Sequence, residues 1–200
     1  MSVVIFLEGG GRGKDLRTRC REGFHFFLGR LALHGRRPRL VACGSRADAF
    51  ARFETALTTD PSGPYLLLVD TEECVDSSIA PWGHVAQRSG DHWQRPTASK
   101  DDQLHFMAVC MESWLVADRD SLARFYGDGF SAGRLPDTTN LENVDKQTVM
   151  ASLRAATRET KKGEYAKGKT SFAALAAIDV DVVRAKMPFC DRLVQHLLSR

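Results

Sequence analysis

The sequence predicts an α/β fold, a mostly parallel sheet flanked by helices and followed by a helical C-terminal part. Three observations predict it. Short apolar runs bounded by turn residues read as buried parallel strands: Ser2-Val3-Val4-Ile5-Phe6-Leu7, Leu40-Val41-Ala42-Cys43 and Tyr65-Leu66-Leu67-Leu68-Val69. Stretches with apolar residues three and four apart alternate with them, which is the helical period. The last third carries helical patterns alone. Strand-helix-strand-helix-strand is the grammar of a doubly wound, Rossmann-like sheet.

Each element follows in order. The first strand is expected over 2–7, with a glycine turn from Gly9 to Gly13. Leu16, Cys20, Phe24, Phe27, Leu28 and Leu31 share one helical face and predict a helix over 14–33, closed by His34-Gly35. After the second strand, Ser45 caps a helix carrying Ala49, Phe50, Phe53 and Leu57. Asp60-Pro61-Ser62-Gly63-Pro64 is a turn leading into the third strand, 65–69. A weak helix is expected over 79–88, a loop over 90–99 and a fourth strand over 103–109. Helices follow over 111–117 and 121–126, the second capped by Asp120. The Gly-, Asp- and Pro-rich stretch 127–140 reads as loop. Helices over 147–160, 171–178, 180–186 and 188–198 are separated by a Lys-Gly pair, Asp179 and Pro188. Residues 1–126 thus form an α/β core, and 127–200 a loop and helical extension packed on it as one domain.

Composition narrows the class. Of 200 residues, 43% are hydrophobic and 26% charged, ordinary for a globular protein able to bury a full core. No apolar run approaches a membrane span, and the N-terminus reads as a strand rather than a signal peptide. The five cysteines form no CxxC pair and are odd in number, so reduced thiols in a cytoplasmic protein are expected. Net charge is only +3, but its distribution is uneven. Residues 12–39 carry nine basic side chains against two acidic, and residues 154–169 carry six against two. Two basic clusters fit either a polyanionic partner or a solvated helix face.

The glycine turn is not a P-loop. Glu8 stands where a Walker glycine belongs, and Asp15 stands where Ser or Thr must follow Lys14. The turn either brings backbone close to a metal-bound phosphate or simply reverses the chain. Acids at strand ends are more informative. Glu8 follows the first strand, and Asp70-x-Glu72 follows the third. Chemistry collects beyond the carboxyl ends of parallel strands, and three acids gathered there repel unless a cation lies between them. If the chain stays extended past Val69, Asp70 and Glu72 face the same side. Hard cations take oxygen ligands, so Mg²⁺ or Mn²⁺ is the expected metal, held by Glu8, Asp70 and Glu72. Single strand-end acids are also common as turn residues. His84, His92 and His105 show no metal-ligand spacing.

The segment Met111-Glu112-Ser113-Trp114-Leu115-Val116-Ala117-Asp118 resembles the signature of a bacterial family of unknown function related to the TOPRIM fold. Further matches fall in order along nearly the whole chain: Glu8-Gly9, Leu67-Leu68-Val69-Asp70-x-Glu72, Tyr165-x-Lys167-Gly168-Lys169 and Pro188-Phe189. TOPRIM domains are the metal-binding catalytic modules of topoisomerases, primases and overcoming-lysogenization-defect-type nucleases. The resemblance implies that Glu8 is the acid after the first strand and that Asp70 and Glu72 are the acidic pair. Glu72 departs from the usual second Asp, keeping the charge on a longer arm. Glu112 is either a further catalytic acid or a helix-start acid stabilised by the dipole. Trp114 reads as core. The implied activity is metal-dependent hydrolysis of DNA or RNA. Arg12, Lys14, Lys161, Lys162, Lys167 and Lys169 would hold phosphates, though Lys167-Gly168-Lys169 also reads as a solvated linker. The resemblance further implies an ABC- or AAA-type ATPase partner encoded nearby and a role in defence against phages. The competing expectation is an inactive module that regulates such an ATPase, and a third is a phosphatase or nucleotidyl-transfer enzyme on small phosphates.

Overall fold

A computed structural model describes residues 2–76 and 78–200. Four strands, β1 (Val4–Gly10), β2 (Arg39–Gly44), β3 (Tyr65–Asp70) and β4 (Leu104–Met107), form one sheet in the order β2-β1-β3-β4. Every pairing is parallel. Side chains alternate across it, and both faces are apolar because both are covered. Ile5, Leu7, Leu66 and Leu68 enter one core cluster, while Phe6, Leu67 and Val69 enter the other.

The smaller core belongs to α2 (Arg46–Thr59) and α3 (Pro81–Gln87). Ala49, Phe53 and Leu57 of α2 and Trp82 and Val85 of α3 fill it. The larger core receives α1 (Lys14–Leu28), α4 (Met111–Ala117), α5 (Arg119–Tyr126) and the C-terminal helices α6 (Lys146–Thr157), α7 (Lys169–Ala177), α8 (Val180–Arg184) and α9 (Pro188–Leu198). Cys20, Trp114, Leu153, Leu175, Val183 and Leu193 sit in that single cluster, so the C-terminal helices share a core with the sheet. Trp114 is wholly buried, stacked on Phe27 at 5.3 Å between ring centres and meeting Phe24 edge-on at 6.2 Å. Close contact of α1 with α7 depends on Gly23. A Cβ there would lie 2.7 Å from the Phe172 carbonyl oxygen.

Several boundaries differ from expectation. β1 continues to Gly10, so Glu8 lies within it; Glu8, Gly9 and Gly10 all pair with Gly44 across irregular register. α1 stops at Leu28, with Gly29 as its C-cap rather than His34-Gly35. Leu31 and Leu33 are buried beyond its end, which made the apolar pattern look longer than the helix. β4 spans only four residues rather than 103–109. The cap of α5 is Asp118, whose side chain accepts from the Ser121 N–H at 3.1 Å; Asp120 lies two residues later, inside the first turn. Asp118 also accepts from the Asp179 N–H at 2.8 Å, tying α4, α5 and α8 together. α6 and α7 each start and end earlier than expected, and α8 ends at Arg184. Ser45 and Asp179 cap α2 and α8 as expected. The cysteines are all free, and only Cys74 is exposed. Among the described residues, no helix is long and apolar enough to cross a membrane.

Candidate functional site

The central strands β1 and β3 run side by side, so Glu8 and Asp70 emerge at the same edge of the sheet. One carboxylate oxygen from each of Glu8, Asp70 and Glu72 lies within 4.8 Å of the others. Glu72 arrives by a different route from the one expected. β3 ends at Asp70, and Glu72 adopts the left-handed conformation with φ of 67°, its N–H donating to the Val109 carbonyl at 2.9 Å. Such backbone is unusual for a residue with a side chain, and the turn here brings the carboxylate back over the cluster.

Asp70 is the deepest of the three, 7% exposed. Its Oδ1 accepts from the Met111 N–H at 2.9 Å, and its own N–H donates to Glu8 Oε2 at 3.1 Å. Burial, and then the negative charges of Glu8 and Glu112, push its carboxyl well above the ordinary range, against the opposing charges of Lys146 and Lys167. Glu8 is also raised, chiefly by burial, with Arg46 and the Asp70 N–H pulling the other way.

Two cations missed in the sequence complete the cluster. Lys146 Nζ donates to Glu72 Oε2 and lies 3.8 Å from Asp70 Oδ2. Burial depresses its ammonium, but the Glu72 hydrogen bond and the two carboxylates outweigh that and hold its pKa above the ordinary value. Arg46 Nη1 lies 3.7 Å from Glu8 Oε2 and donates to the Asp70 carbonyl. The same guanidinium is gripped by Asp91 and lies 4.7 Å over the Trp93 ring. Arg46 had a legible signal, since it follows the carboxyl end of β2 at the same edge. Lys146 had none, being 74 residues from its partner.

Beside the cluster is a cavity of about 300 Å³ whose lining includes Glu8, Asp70, Gly9–Gly11, Glu112 and Lys167. The glycines are required by the backbone: Gly10 has φ of 82°, and a Cβ there would lie 2.6 Å from Arg17 Cα. Glu112 is 3% exposed, accepts from the Tyr165 hydroxyl at 2.8 Å and lies 3.7 Å from Lys167 Nζ. It lines the cavity without joining the three-carboxylate group. Of the six basic residues expected at the site, Lys167 alone lines this cavity. Arg12, Lys14 and Lys169 are exposed nearby in sequence. Lys161 and Lys162 do not contribute to the lining; Lys162 lies over the Phe125 ring at 5.3 Å. Of the basic residues over 154–169, Lys167 is the one that reaches the cavity. His84, His92 and His105 also lie outside it.

Fold and site define an α/β protein with a partly buried carboxylate cluster at the carboxyl edge of a parallel sheet. The chain belongs to the family described as Domain of unknown function (DUF4276), which matches residues 7–198. No curated protein and no solved structure matches it.

Proposed function

We propose that the protein is a Mg²⁺- or Mn²⁺-dependent, TOPRIM-like nuclease acting on DNA or RNA. The observation that carries this reading is the convergence of Glu8, Asp70 and Glu72 within 4.8 Å. That span is little more than twice the Mg–O distance of about 2.1 Å, and the donors are the oxygen ligands a hard cation takes. Burying carboxylates raises their pKa and is unfavourable without a compensating charge, which a divalent ion supplies.

A metal bound there would activate water and stabilise charge on the phosphorus. The chain's own side chains do the rest. The glycine segment Gly9–Gly11 lets a phosphate approach backbone, and Lys167, steadied by Glu112, offers an ammonium to it. Tyr165 fixes Glu112 through its hydroxyl, so Glu112 acts here as a positioning residue. Arg46 holds Glu8 in place while Asp91 and Trp93 hold Arg46.

A second reading is favoured by one observation: Glu72 and Glu8 each already face a protein cation. It takes the protein as an inactive module that regulates a partner ATPase of ABC or AAA type in the cytoplasm. The two part on an assay of cleavage. Labelled DNA and RNA are incubated with Mg²⁺ or Mn²⁺, with and without the ATPase encoded beside it. The nuclease reading expects metal-dependent cleavage by the wild type and none by Asp70→Asn. Wild type and variant equally inactive in every combination would leave the regulatory module in its place.

A further inference from the structure

Phe26 is 59% exposed, the more exposed of two large hydrophobic side chains open to solvent among the described residues. It lines a cleft of about 390 Å³ together with Arg21, Glu22, His25, Pro38 and Leu40. His25 meets its ring edge-on at 5.8 Å between centres, and Arg37 Nη1 lies 3.4 Å from His25 Nε2. The open aromatic face thus has the Arg21 guanidinium in its lining and the Arg37 guanidinium beside His25.

The cleft is connected to the acidic site along two elements. On α1, Arg17, Arg21 and His25 recur every four residues and form one stripe about 12 Å long at 1.5 Å per residue. Arg17 Nε donates to the Gly11 carbonyl at 3.0 Å, and Gly11 lines the acidic cavity. On β2, Leu40 lines the Phe26 cleft and Gly44 the acidic cavity, a separation of about 13 Å along a strand. Arg30 is not part of this stripe, because it donates to the Ala176 and Ile178 carbonyls and is committed to the fold. Glu22 is the carboxylate in the cleft lining and Arg21 the guanidinium there, with Arg37 beside His25 and Arg17 one turn further toward the acidic cavity.

We propose that the Phe26 cleft is a base-stacking subsite and that the nucleic acid led to Glu8, Asp70 and Glu72 is single-stranded. The inference rests on the nucleic-acid reading above. Guanidinium groups along the stripe take phosphates, and the exposed ring takes the face of an unpaired base. A duplex offers the same phosphates but keeps its base faces stacked inside, so it has no use for Phe26. Because every base has a π face, the subsite is tolerant of sequence.

The test uses the whole protein, chelator-treated so that nothing is cut. A fluorescein-labelled oligothymidylate of about 12 nucleotides and a hairpin duplex of similar length are titrated by anisotropy. The single strand is expected to bind more tightly, and Phe26→Ala to weaken it about tenfold with the melting temperature unchanged. Phe26→Trp should retain the affinity and Phe26→Leu should lose it, since leucine keeps the apolar surface without the π face. Tighter duplex binding, or full affinity in Phe26→Leu, overturns the proposal; the latter would mark the cleft as an apolar contact for a protein. Cleavage with added metal separates this from the nuclease reading. Phe26-dependent binding without cleavage would remove the nuclease and keep the subsite. Metal-dependent cleavage and binding both indifferent to Phe26 would do the reverse.

Discussion

Lys146 is the counter-ion that Glu72 and Asp70 share, as Arg46 is that of Glu8. Its ammonium faces both Glu72 and Asp70, and its own charge is stabilised by them. Removing one member of such a pair leaves the other's charge buried and uncompensated. Lys146→Met is expected to lower metal-free stability by about 1–2 kcal/mol, less than for a fully buried pair because solvent reaches these groups. For a chain of this size that is roughly 3–6 °C in Tm. The same variant should gain more from Mg²⁺ than the wild type does, because a cation then has no ammonium to displace. A metal-induced rise no larger than in wild type, read by calorimetry, would show that Lys146 does not occupy the cation's place. Neither Lys146 nor its role is legible locally: it follows the Asp145 cap of α6 like any helix-start residue. Asp70, by contrast, announces itself as an acid ending an apolar strand.

Segment joins carry their own pH dependence. Glu142, ahead of α6, accepts from the Phe189 N–H at 2.8 Å at the start of α9. Burial pushes its carboxyl from 4.5 to about 7, only partly offset by that hydrogen bond. A carboxyl raised in the folded state takes up protons more readily than in the unfolded chain. Its contribution is therefore favourable below its unfolded pKa, and is lost as pH rises from about 4.5 through about 7. Solvent reaches the group and screens the penalty to about 1 kcal/mol. Glu142→Gln keeps the acceptor and removes the charge. It should raise Tm by about 2–4 °C at about pH 8 and leave it nearly unchanged at about pH 4. A gain of equal size at both would mean that charge is not the cause. Most elements were legible, because caps and apolar periods are local: Ser45, Asp179 and the 65–69 run marked α2, α8 and β3. The end of α1 was not, because Leu31 and Leu33 continue the apolar pattern in non-helical backbone and are buried by tertiary packing. Nor was the turn at Glu72, since nothing in a Thr-Glu-Glu stretch encodes a positive φ.

The whole molecule places its chemistry by topology. The order β2-β1-β3-β4 puts the two acid-bearing strands side by side in the centre of the sheet, with Gly44 of β2 and α4 after β4 closing the edge around them. Sequence order indicated strands with acids at their ends, but not which strands are neighbours. Pairing of β1 with β3 turns two acids 62 residues apart into one site. The start of α6 and the turn before α7 then deliver Lys146 and Lys167 to the same edge, so the cluster exists only in the folded whole. Metal binding should consequently stabilise the whole fold. Thermal unfolding of the wild type and Asp70→Asn is to be compared in Mg²⁺, in Mn²⁺ and in chelator. With metal at about 100 times its dissociation constant, the wild type should gain about 2.7 kcal/mol, or roughly 5–10 °C. Asp70→Asn should gain nearly nothing while melting no lower than the wild type in chelator, because it removes a buried repulsion and keeps the acceptor for Met111. Equal gains in the two proteins, or none in the wild type, would contradict a cation site formed by Glu8, Asp70 and Glu72.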